Sequence, residues 1–566
     1  LGAESDTCSN TQCPHYQRCF FFKARRHAED AQILVVNHHL LFADLSLRLE
    51  TENYTSSAVL PYYSHVIIDE AHHIEDVATD FFGEKISKLS LLRTLKRLAS
   101  ENVQKASGKL PLLREKLSQC FPGAPPADVS SIFLRLNIDL PAMRNDLVKR
   151  IQDTFQALTD FADLQNRNQE DNTSKESKLR LYAEQFDQPL WQKEVIPSAK
   201  SLISACRNYV QSIYNIEADL KELNHDRFQE QSKSIRLDII AFADRLANQS
   251  LLVENLILKI PTSEKVRWIE LSPLKSGINT SVASAYLDIS SLMAKALFSK
   301  FQAVILCSAT LSTNHQFDYV RKRLGMTEEA LPNKKLVERI YDSPFNYAKQ
   351  ALLIVPKDLP PPQNVNFIAA ATEQIWNAIV ASRGSTFVLF TSYGMMQKCH
   401  ELLAERLQNG RFNLYKQGDT NRQKLLNQFK TTPRSVLFGT DSFWEGVDVS
   451  GEALRCVIIV KLPFRVPTEP IIQARTEAII AQGGDAFTEY SLPNAIVKFK
   501  QGFGRLIRHN NDRGCIICLD TRLITKGYGK IFLDSLPNCQ KSLPLSAEVE
   551  EQMRTFYRRT HHLIIQ

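Results

Sequence analysis

The stretch HVIIDEAHH (residues 65–73) combines an apolar, β-branched run with two adjacent carboxylates and two histidines. Such a run is typical of a strand buried in a parallel sheet, and nucleotide sites lie at the carboxyl ends of these strands. In phosphoryl transfer one carboxylate can hold Mg²⁺ while its neighbour activates the attacking water. We therefore assign Asp69 to the metal and Glu70 to the water. The alternative is a strand that ends in an ordinary acidic turn.

Further apolar runs of similar composition occur on both sides of this stretch, and each predicts a strand buried on both faces. They are QILVVN (32–37), QAVILCSAT (302–310), TFVLFTS (386–392), SVLFGTD (435–441), CVIIVKLPF (456–464) and CIICLD (515–520). Stretches with helical periodicity lie between them, at 365–382, 394–408 and 420–430. This alternation predicts an α/β fold with mostly parallel sheets.

The chain of 566 residues is too long for one hydrophobic core, so several domains are expected. Between Glu75 and about Glu264 the sequence turns to long, charged, amphipathic segments with few strand signals. We interpret this region as a helical insertion that splits the first α/β unit. A second boundary falls near the proline-rich KDLPPPQN (357–364), after SPFN (343–346).

Three more motifs follow in order: SAT (308–310), GTDSFWEGVD (439–448) and QGFGRLIRH (501–509). SAT ends a predicted strand and suits the coupling of phosphate-side events to a neighbouring domain. Arg505 and Arg508 are spaced i and i+3, so they are predicted to lie on one helix face and to donate charge to a triphosphate. The alternative is a solvated, basic helix end.

Together, DEAH, SAT, GTDSFWEGVD and QGFGRLIR, with a large insertion after the first, resemble the motor motifs of the DinG/XPD branch of superfamily 2 helicases. VVNHHLLFADL (35–45), SPFN and RLITKGYGK (522–530) also resemble bacterial DinG and YoaA sequences. The resemblance covers nearly the whole chain. It implies two RecA-like domains, the first incomplete, with an iron–sulfur segment and a helical arch.

The resemblance also implies roles for individual residues. Gln501, Arg505 and Arg508 would face ATP, together with Asp69 and His72. Within GTDSFWEGVD, Glu445 and Asp448 would link the nucleotide to DNA, and Gly446 would provide the backbone turn between them. The expected division assigns 1–30 to the iron–sulfur domain, 31–88 and 265–342 to helicase domain 1, 89–264 to the arch and 343–566 to helicase domain 2.

Cys8, Cys13 and Cys19 have the spacing C-x4-C-x5-C, which is similar to the last three cluster cysteines of the family. Thiolates are the ligands that iron–sulfur clusters require, so a four-iron four-sulfur cluster is expected, with a fourth cysteine outside this sequence. Zinc, held by these three with His15 or a later residue, is the rival, and unligated cysteines are a third reading. The remaining eight cysteines, including Cys515 and Cys518, are expected to be core residues.

A nucleotide motor needs a phosphate-binding loop of the form G-x4-G-K-[ST], and no such string occurs here. The nearest candidate, ASGKLPLL (106–113), lacks the first glycine and the hydroxyl after the lysine. In the family this loop precedes the cluster cysteines, so the resemblance implies an N-terminally truncated chain. We expect this chain alone to bind ATP poorly and hydrolyse little, and the complete protein to be active.

The composition sets mild limits on partners. A net charge of +7 is compatible with a polyanion, and no apolar run is long enough to cross a membrane. The start of the sequence also lacks a basic-then-apolar secretory pattern, so a cytoplasmic protein is expected. The resemblance implies an ATP- and Mg²⁺-dependent DNA helicase with 5′ to 3′ polarity, acting on single-stranded and forked DNA, and on RNA–DNA hybrids, in repair or replication. A monomer is expected. Tyr393, Trp444 and Phe503 are candidates for base stacking or for packing. A catalytically inactive scaffold and a helicase-related nuclease remain as alternatives.

Overall fold

The computed structural model describes residues 8, 13, 16–100, 107–167, 177–274, 277–313, 316–445, 449 and 451–562. The chain forms two compact units. The first comprises Leu1–Ser64, Glu75–Ile289 and Glu469–Ala474, and the second comprises His65–Ile74, Ser290–Thr468 and Arg475–Gln566. Each unit is described by itself below.

The strands are β1 His65–Ile68, β2 Glu84–Ser87, β3 Ser177–Leu181, β4 Lys265–Leu274, β5 Gly277–Tyr286, β6 Ala303–Leu306, β7 Ala351–Ile354, β8 Thr386–Leu389, β9 Asn413–Lys416, β10 Ser435–Gly439, β11 Cys456–Ile459, β12 Gly514–Cys518 and β13 Gln540–Ser542. The helices are α1 Phe20–Glu29, α2 His38–Thr51, α3 Ile74–Phe81, α4 Lys88–Leu98, α5 Lys109–Cys120, α6 Ala127–Leu134, α7 Leu140–Arg167, α8 Ile196–Glu222, α9 Asp226–Val253, α10 Ser290–Met293, α11 Asp318–Leu324, α12 Tyr347–Gln350, α13 Phe367–Ser382, α14 Tyr393–Asn409, α15 Arg422–Thr431, α16 Asp441–Trp444, α17 Pro470–Ala481, α18 Leu492–Phe503, α19 Arg522–Thr525, α20 Gly529–Asp534 and α21 Val549–His562.

The first unit is mainly helical, as the sequence predicts for the insertion, and its core lies between α4, α5, α7, α8 and α9. It also contains an antiparallel sheet in the order β2-β5-β4-β3, which the sequence analysis missed. The reason is visible in β5, where Thr280, Ser281 and Ser284 are buried. Small hydroxyl residues give no apolar alternation, so a buried strand of this kind produces a weak signal.

A buried ion pair in the first unit holds the segment that leads towards β1. Arg48 donates through Nε to Asp44 at 2.6 Å and through its terminal nitrogens to the carbonyl oxygens of Ser56, Leu60 and Pro61. The hydroxyl of Tyr63 donates to the same carboxylate at 2.7 Å. Because both charges are fully buried, these hydrogen bonds are needed to offset their desolvation.

The second unit is built around a seven-stranded parallel sheet in the order β13-β7-β12-β11-β8-β10-β9. The predicted strands β8, β10, β11 and β12 are confirmed and are buried throughout. Alternate residues serve the two faces: Phe387 and Leu389 pack into one apolar cluster, and Val388 packs into the other. The predicted helices between the strands are confirmed as α13, α14 and α15.

A separate two-stranded parallel sheet in the second unit pairs β1 with β6, from His65 opposite Ala303 to Ile68 opposite Leu306. Both strands were predicted, but burial on both faces is wrong for them, since Ile67 is 70% exposed and Ile305 is 53% exposed. The predicted strand at 32–37 is also wrong. That stretch is irregular and ends at Asn37, whose side chain accepts the Leu40 N–H and caps α2.

The cysteines outside the N-terminal three are mostly core residues, as predicted. Cys515 and Cys518 are fully buried, whereas Cys307 is exposed at the end of β6 and contradicts the prediction. Cys307 follows the sparsely covered strand whose Ile305 is also exposed, so the same lack of cover explains both. In the described parts of the chain, no helix has both the length and the apolar composition to traverse a lipid bilayer.

Candidate functional site

Asp69 and Glu70 directly follow β1, at the carboxyl end of the two-stranded sheet. Pairing continues past the strands, because Cys307 N–H donates to Ile68 O at 2.9 Å and Ala71 N–H donates to Cys307 O at 3.0 Å. Glu70 has φ 49° and ψ 44°, the left-handed conformation, which is uncommon for a residue with a Cβ and is concentrated at functional sites. The turn leaves the Glu70 carboxylate largely exposed.

His72 connects this turn to the segment after β6. Its Nδ1 lies 2.7 Å from Ser308 Oγ and 3.3 Å from Thr310 Oγ1. The hydroxyl of Ser308 also accepts the Thr310 N–H at 3.1 Å. The DEAH and SAT motifs, which are more than 230 positions apart, therefore share one hydrogen-bonded group.

His73 connects the same turn to the GTDSFWEGVD segment. Its Nε2 lies 3.0 Å from Glu445 Oε2. Burial alone would raise the pKa of Glu445, but the hydrogen bond and charge of His73, with smaller contributions from His72 and Lys498, hold it below its usual value. The ligand atoms of His72, His73 and Glu445 all lie within 4.8 Å of one another, so these side chains could share a divalent cation. Gly446 and Asp448, predicted for the same segment, lie outside the described residues.

Arg505 and Arg508 follow α18 instead of lying on it. The helix ends at Phe503, so the prediction that both arginines share one helix face is wrong. Arg505 Nε donates to Trp444 O at 2.8 Å. Burial, and then the charge of Arg508, lower the pKa of Arg505 to about 10, while Glu445 and Glu70 act in the opposite direction. Glu70, Glu445 and Arg505 are thus near enough to interact electrostatically.

Gln501 lies in the last turn of α18, and its side chain is buried. In the described part of the chain, neither its amide nitrogen nor its amide oxygen has a hydrogen-bond partner. A buried amide without partners is costly, so this position suits contact with a polar ligand or water.

Two buried residues near the arginines were missed by the sequence analysis. The Asp512 carboxylate accepts the backbone N–H groups of Arg508, His509 and Gly451 at 2.7, 2.8 and 2.9 Å. Gln350, at the end of α12, donates to backbone carbonyls of the same loop. Asp512 lies close enough to QGFGRLIRH to have been suspected from sequence, whereas Gln350 carries no such signal.

The aromatic candidates for base stacking separate by burial. Trp444 is fully buried, with its indole N–H donating to Phe390 O at 3.1 Å, and Phe503 is also buried. Neither can stack on a base, so the packing alternative holds for both. Tyr393 is 52% exposed at the start of α14 and keeps an accessible ring face.

Cys8, Cys13 and Cys19 belong to the first unit. None of them is in a disulfide, and all three are partly exposed. Cys19 is the residue before α1, where its carbonyl accepts the Lys23 N–H at 2.9 Å. Three thiols fit the donor set of an iron–sulfur cluster.

Comparisons with known proteins agree with this arrangement. The family model described as DEAD_2 matches residues 9–91, and the Helicase C-terminal domain model matches residues 375–539. The chain is 30% identical to the ATP-dependent DNA helicase YoaA of Haemophilus influenzae over 97% of this chain and 73% of that protein. It is 29% identical to the ATP-dependent DNA helicase DinG of Photobacterium profundum over 96% of this chain and 73% of that protein.

The 3′-5′ exonuclease DinG of Bacillus subtilis is 27% identical over 94% of this chain, which covers 54% of that longer protein. The predicted α/β class with parallel sheets and the predicted helicase activity are both confirmed by the fold and by these relatives. The chain belongs to the DinG/YoaA family of ATP-dependent DNA helicases.

Proposed function

We propose that the turn after β1 and the arginines after α18 bind and hydrolyse ATP, and that this hydrolysis drives movement along single-stranded DNA. The observation that carries the proposal is the position of the two histidines in the DEAH turn. His72 Nδ1 lies 2.7 Å from Ser308 Oγ, and His73 Nε2 lies 3.0 Å from Glu445 Oε2. Through these contacts, a change at the bound phosphates would be transmitted to the SAT and GTDSFWEGVD motifs.

Each candidate residue has a role that follows from its chemistry. Asp69 would hold Mg²⁺, which neutralises phosphate charge when bound. Glu70 would orient the attacking water and accept its proton, which the exposed carboxylate can do. Arg505 and Arg508 would donate to the phosphate oxygens as negative charge redistributes, and the buried amide of Gln501 would complete the polar lining.

The DNA substrate is proposed to be single-stranded or forked, with 5′ to 3′ movement and a role in repair or replication. RNA–DNA hybrids are a further proposed substrate. Binding would rest on backbone phosphates and on base stacking, for which the exposed ring of Tyr393 is suited. The proposed site of action is the cytoplasm, and the proposed working form is a monomer.

The proposed division of labour follows the boundaries predicted from sequence. Residues 31–88 and 265–342 would form helicase domain 1, 343–566 helicase domain 2, and 89–264 the arch. In residues 1–30, Cys8, Cys13 and Cys19 would hold a four-iron four-sulfur cluster. The partial exposure of the three thiols supports this assignment over three core cysteines. Bound there, the cluster would cross-link the stretches of chain that carry the three cysteines.

Replacement of the proposed base tests the site. In the full-length protein, Glu70→Gln removes the proton acceptor while keeping the shape of the side chain. We expect DNA-stimulated ATP hydrolysis to fall by about 10²- to 10⁴-fold. Glu52→Gln is the matched control, because Glu52 is also exposed and also left-handed, with φ 51°, at the end of α2. A Glu70→Gln protein with the hydrolysis rate of the control would reject the assignment.

The same assay addresses the two alternatives. A full-length protein that binds DNA but shows no DNA-stimulated hydrolysis would favour the inactive scaffold. Nuclease activity, named for the Bacillus relative, is the less favoured alternative, because this chain covers only 54% of that protein. Degradation of a labelled single strand by the purified protein would favour the nuclease instead.

A further inference from the structure

Two buried side chains, Asp512 and Gln350, hold the loop that contains Arg505 and Arg508. We define the arginine loop as residues 504–513, between α18 and β12. On one side, Asp512 Oδ2 accepts the N–H groups of Arg508 and His509, and Oδ1 accepts the Gly451 N–H. One carboxylate, 4% exposed, thus ties the arginine loop to the segment that follows GTDSFWEGVD.

On the other side, Gln350 secures the carbonyl groups of the same loop. Its Nε2 donates to His509 O, Asn510 O and Asp512 O at 3.2, 3.1 and 3.0 Å. Gln350 is 4% exposed, so its amide is shielded from water, and its bond to Asp512 O is fully buried, whereas His509 and Asn510 lie at the surface. An amide with two protons facing three carbonyls favours one conformation of a short loop, because another loop path would leave the buried Gln350 amide without acceptors.

The start of α12 packs against the residue that precedes the arginine loop. The Tyr347 ring lies 5.9 Å from the Phe503 ring, at the end of α18. Burial raises the pKa of Tyr347, and a hydrogen bond with Ser343 and the charge of Arg508 only partly offset that rise. The stretch SPFNYAKQ (343–350), which begins with the SPFN that resembles bacterial DinG and YoaA sequences, therefore supports the arginine loop through Gln350 and packs beside it through Tyr347.

From these contacts we propose that Gln350 is a positioning residue for ATP hydrolysis, which sets the direction of the Arg508 guanidinium through the backbone of the arginine loop. Asp512 acts from the opposite side in the same way. This rests on the proposed role of Arg508 in the nucleotide site. A displacement of about 1 Å in a group that stabilises a transition state can cost on the order of 10²-fold in rate, so loosening the loop should reduce turnover without removing any catalytic group.

The test is a double-mutant cycle in the full-length protein with Gln350→Leu and Arg508→Ala. We expect Gln350→Leu to lower kcat of DNA-stimulated ATP hydrolysis on the order of ten- to a hundredfold, with the same division between kcat and KM as Arg508→Ala. In the Arg508→Ala background, Gln350→Leu should change kcat less than twofold, because its effect passes through the missing guanidinium. The matched control is Gln374→Leu, a buried glutamine of α13, which should leave kcat unchanged.

The outcomes separate the two proposals. If Arg508→Ala leaves kcat unchanged, the proposed nucleotide site fails. If Arg508→Ala is impaired and Gln350→Leu is not, or if the two effects multiply, the positioning role fails. Melting temperatures identify variants that do not fold. If Gln350→Leu does not fold, Asp512→Asn replaces it in the same cycle. The asparagine keeps the size of the side chain, but its NH₂ group takes the place of one carboxylate oxygen and cannot accept the backbone N–H groups that this oxygen accepted.

Discussion

The two parallel sheets of the second unit contain strands of similar composition but differ in cover. In the seven-stranded sheet every residue of β7, β8, β10, β11 and β12 is buried. In the two-stranded sheet burial alternates along β1, where Ile67 is 70% exposed, and no residue of β6 is fully buried. The candidate site draws Asp69 and Glu70 from the second sheet and the arginines from beside the first. A β-branched run therefore predicts a strand, whereas the number of covering elements decides how much that strand contributes to stability.

The largest effect is expected in the centre of the larger sheet. Ile458 of β11 is fully buried between β8 and β12. Ile458→Ala should cost about 2 to 5 kcal/mol of unfolding free energy, because the deleted atoms leave a cavity that a close-packed sheet cannot fill. Thermal unfolding, together with hydrogen–deuterium exchange of peptides covering β11, measures this. Unchanged exchange protection would contradict the view that this sheet is the stable base of the site.

A smaller, pH-dependent effect is expected where the segments after β1 and β10 meet. The pKa of Glu445 is held below 4.5 in the folded chain, so its contact with His73 stabilises the fold above that pH. The difference in unfolding free energy between wild type and Glu445→Gln should be no more than about 1 kcal/mol, since the pair is partly exposed. This difference in unfolding free energy should shrink as the pH falls from 4.5 through the lowered pKa of Glu445.

Glu452→Gln is the control for this contact. It removes an exposed carboxylate from the same region of the second unit, where the partner is Arg455, at 3.7 Å, instead of His73. A difference in unfolding free energy between wild type and Glu445→Gln that grows as the pH falls would mean that the carboxylate is destabilising in the folded chain. That result would contradict the direction of the pKa shift.

The smallest effect is expected on the exposed face of β1. Ile67→Ala removes the same atoms as Ile458→Ala, yet it should change the unfolding free energy by no more than about 0.5 kcal/mol, as is usual for exposed positions. The two variants are compared by the same thermal and exchange measurements. A loss at Ile67 equal to that at Ile458 would show that β1 is covered on both faces in solution and would remove the contrast between the sheets.

Much of the fold was predictable where the local signal was strong. The runs at 386–392, 435–441, 456–464 and 515–520 all form strands, because long stretches of β-branched and aromatic residues have few other solutions. β9 and β13 escaped prediction, since NLYK and QKS are polar edge strands. The stretch at 32–37 was over-predicted, because Asn37 at its end caps a helix and no partner strand meets it.

By itself, the sequence determined the order of the motor motifs, the pairing of Asp69 with Glu70 and the α/β class, because these depend on residue type and short-range spacing. Only the tertiary structure decided that His72 meets Ser308, that His73 meets Glu445, and that Gln350 supports a loop some 160 positions away. It also decided that Arg505 and Arg508 leave the helix, since capture of the Arg508 N–H by Asp512 replaces a helical hydrogen bond. The contacts of His72, His73 and Gln350 depend on chain folding over long separations, which no local pattern encodes, whereas Asp512 lies only four residues from Arg508.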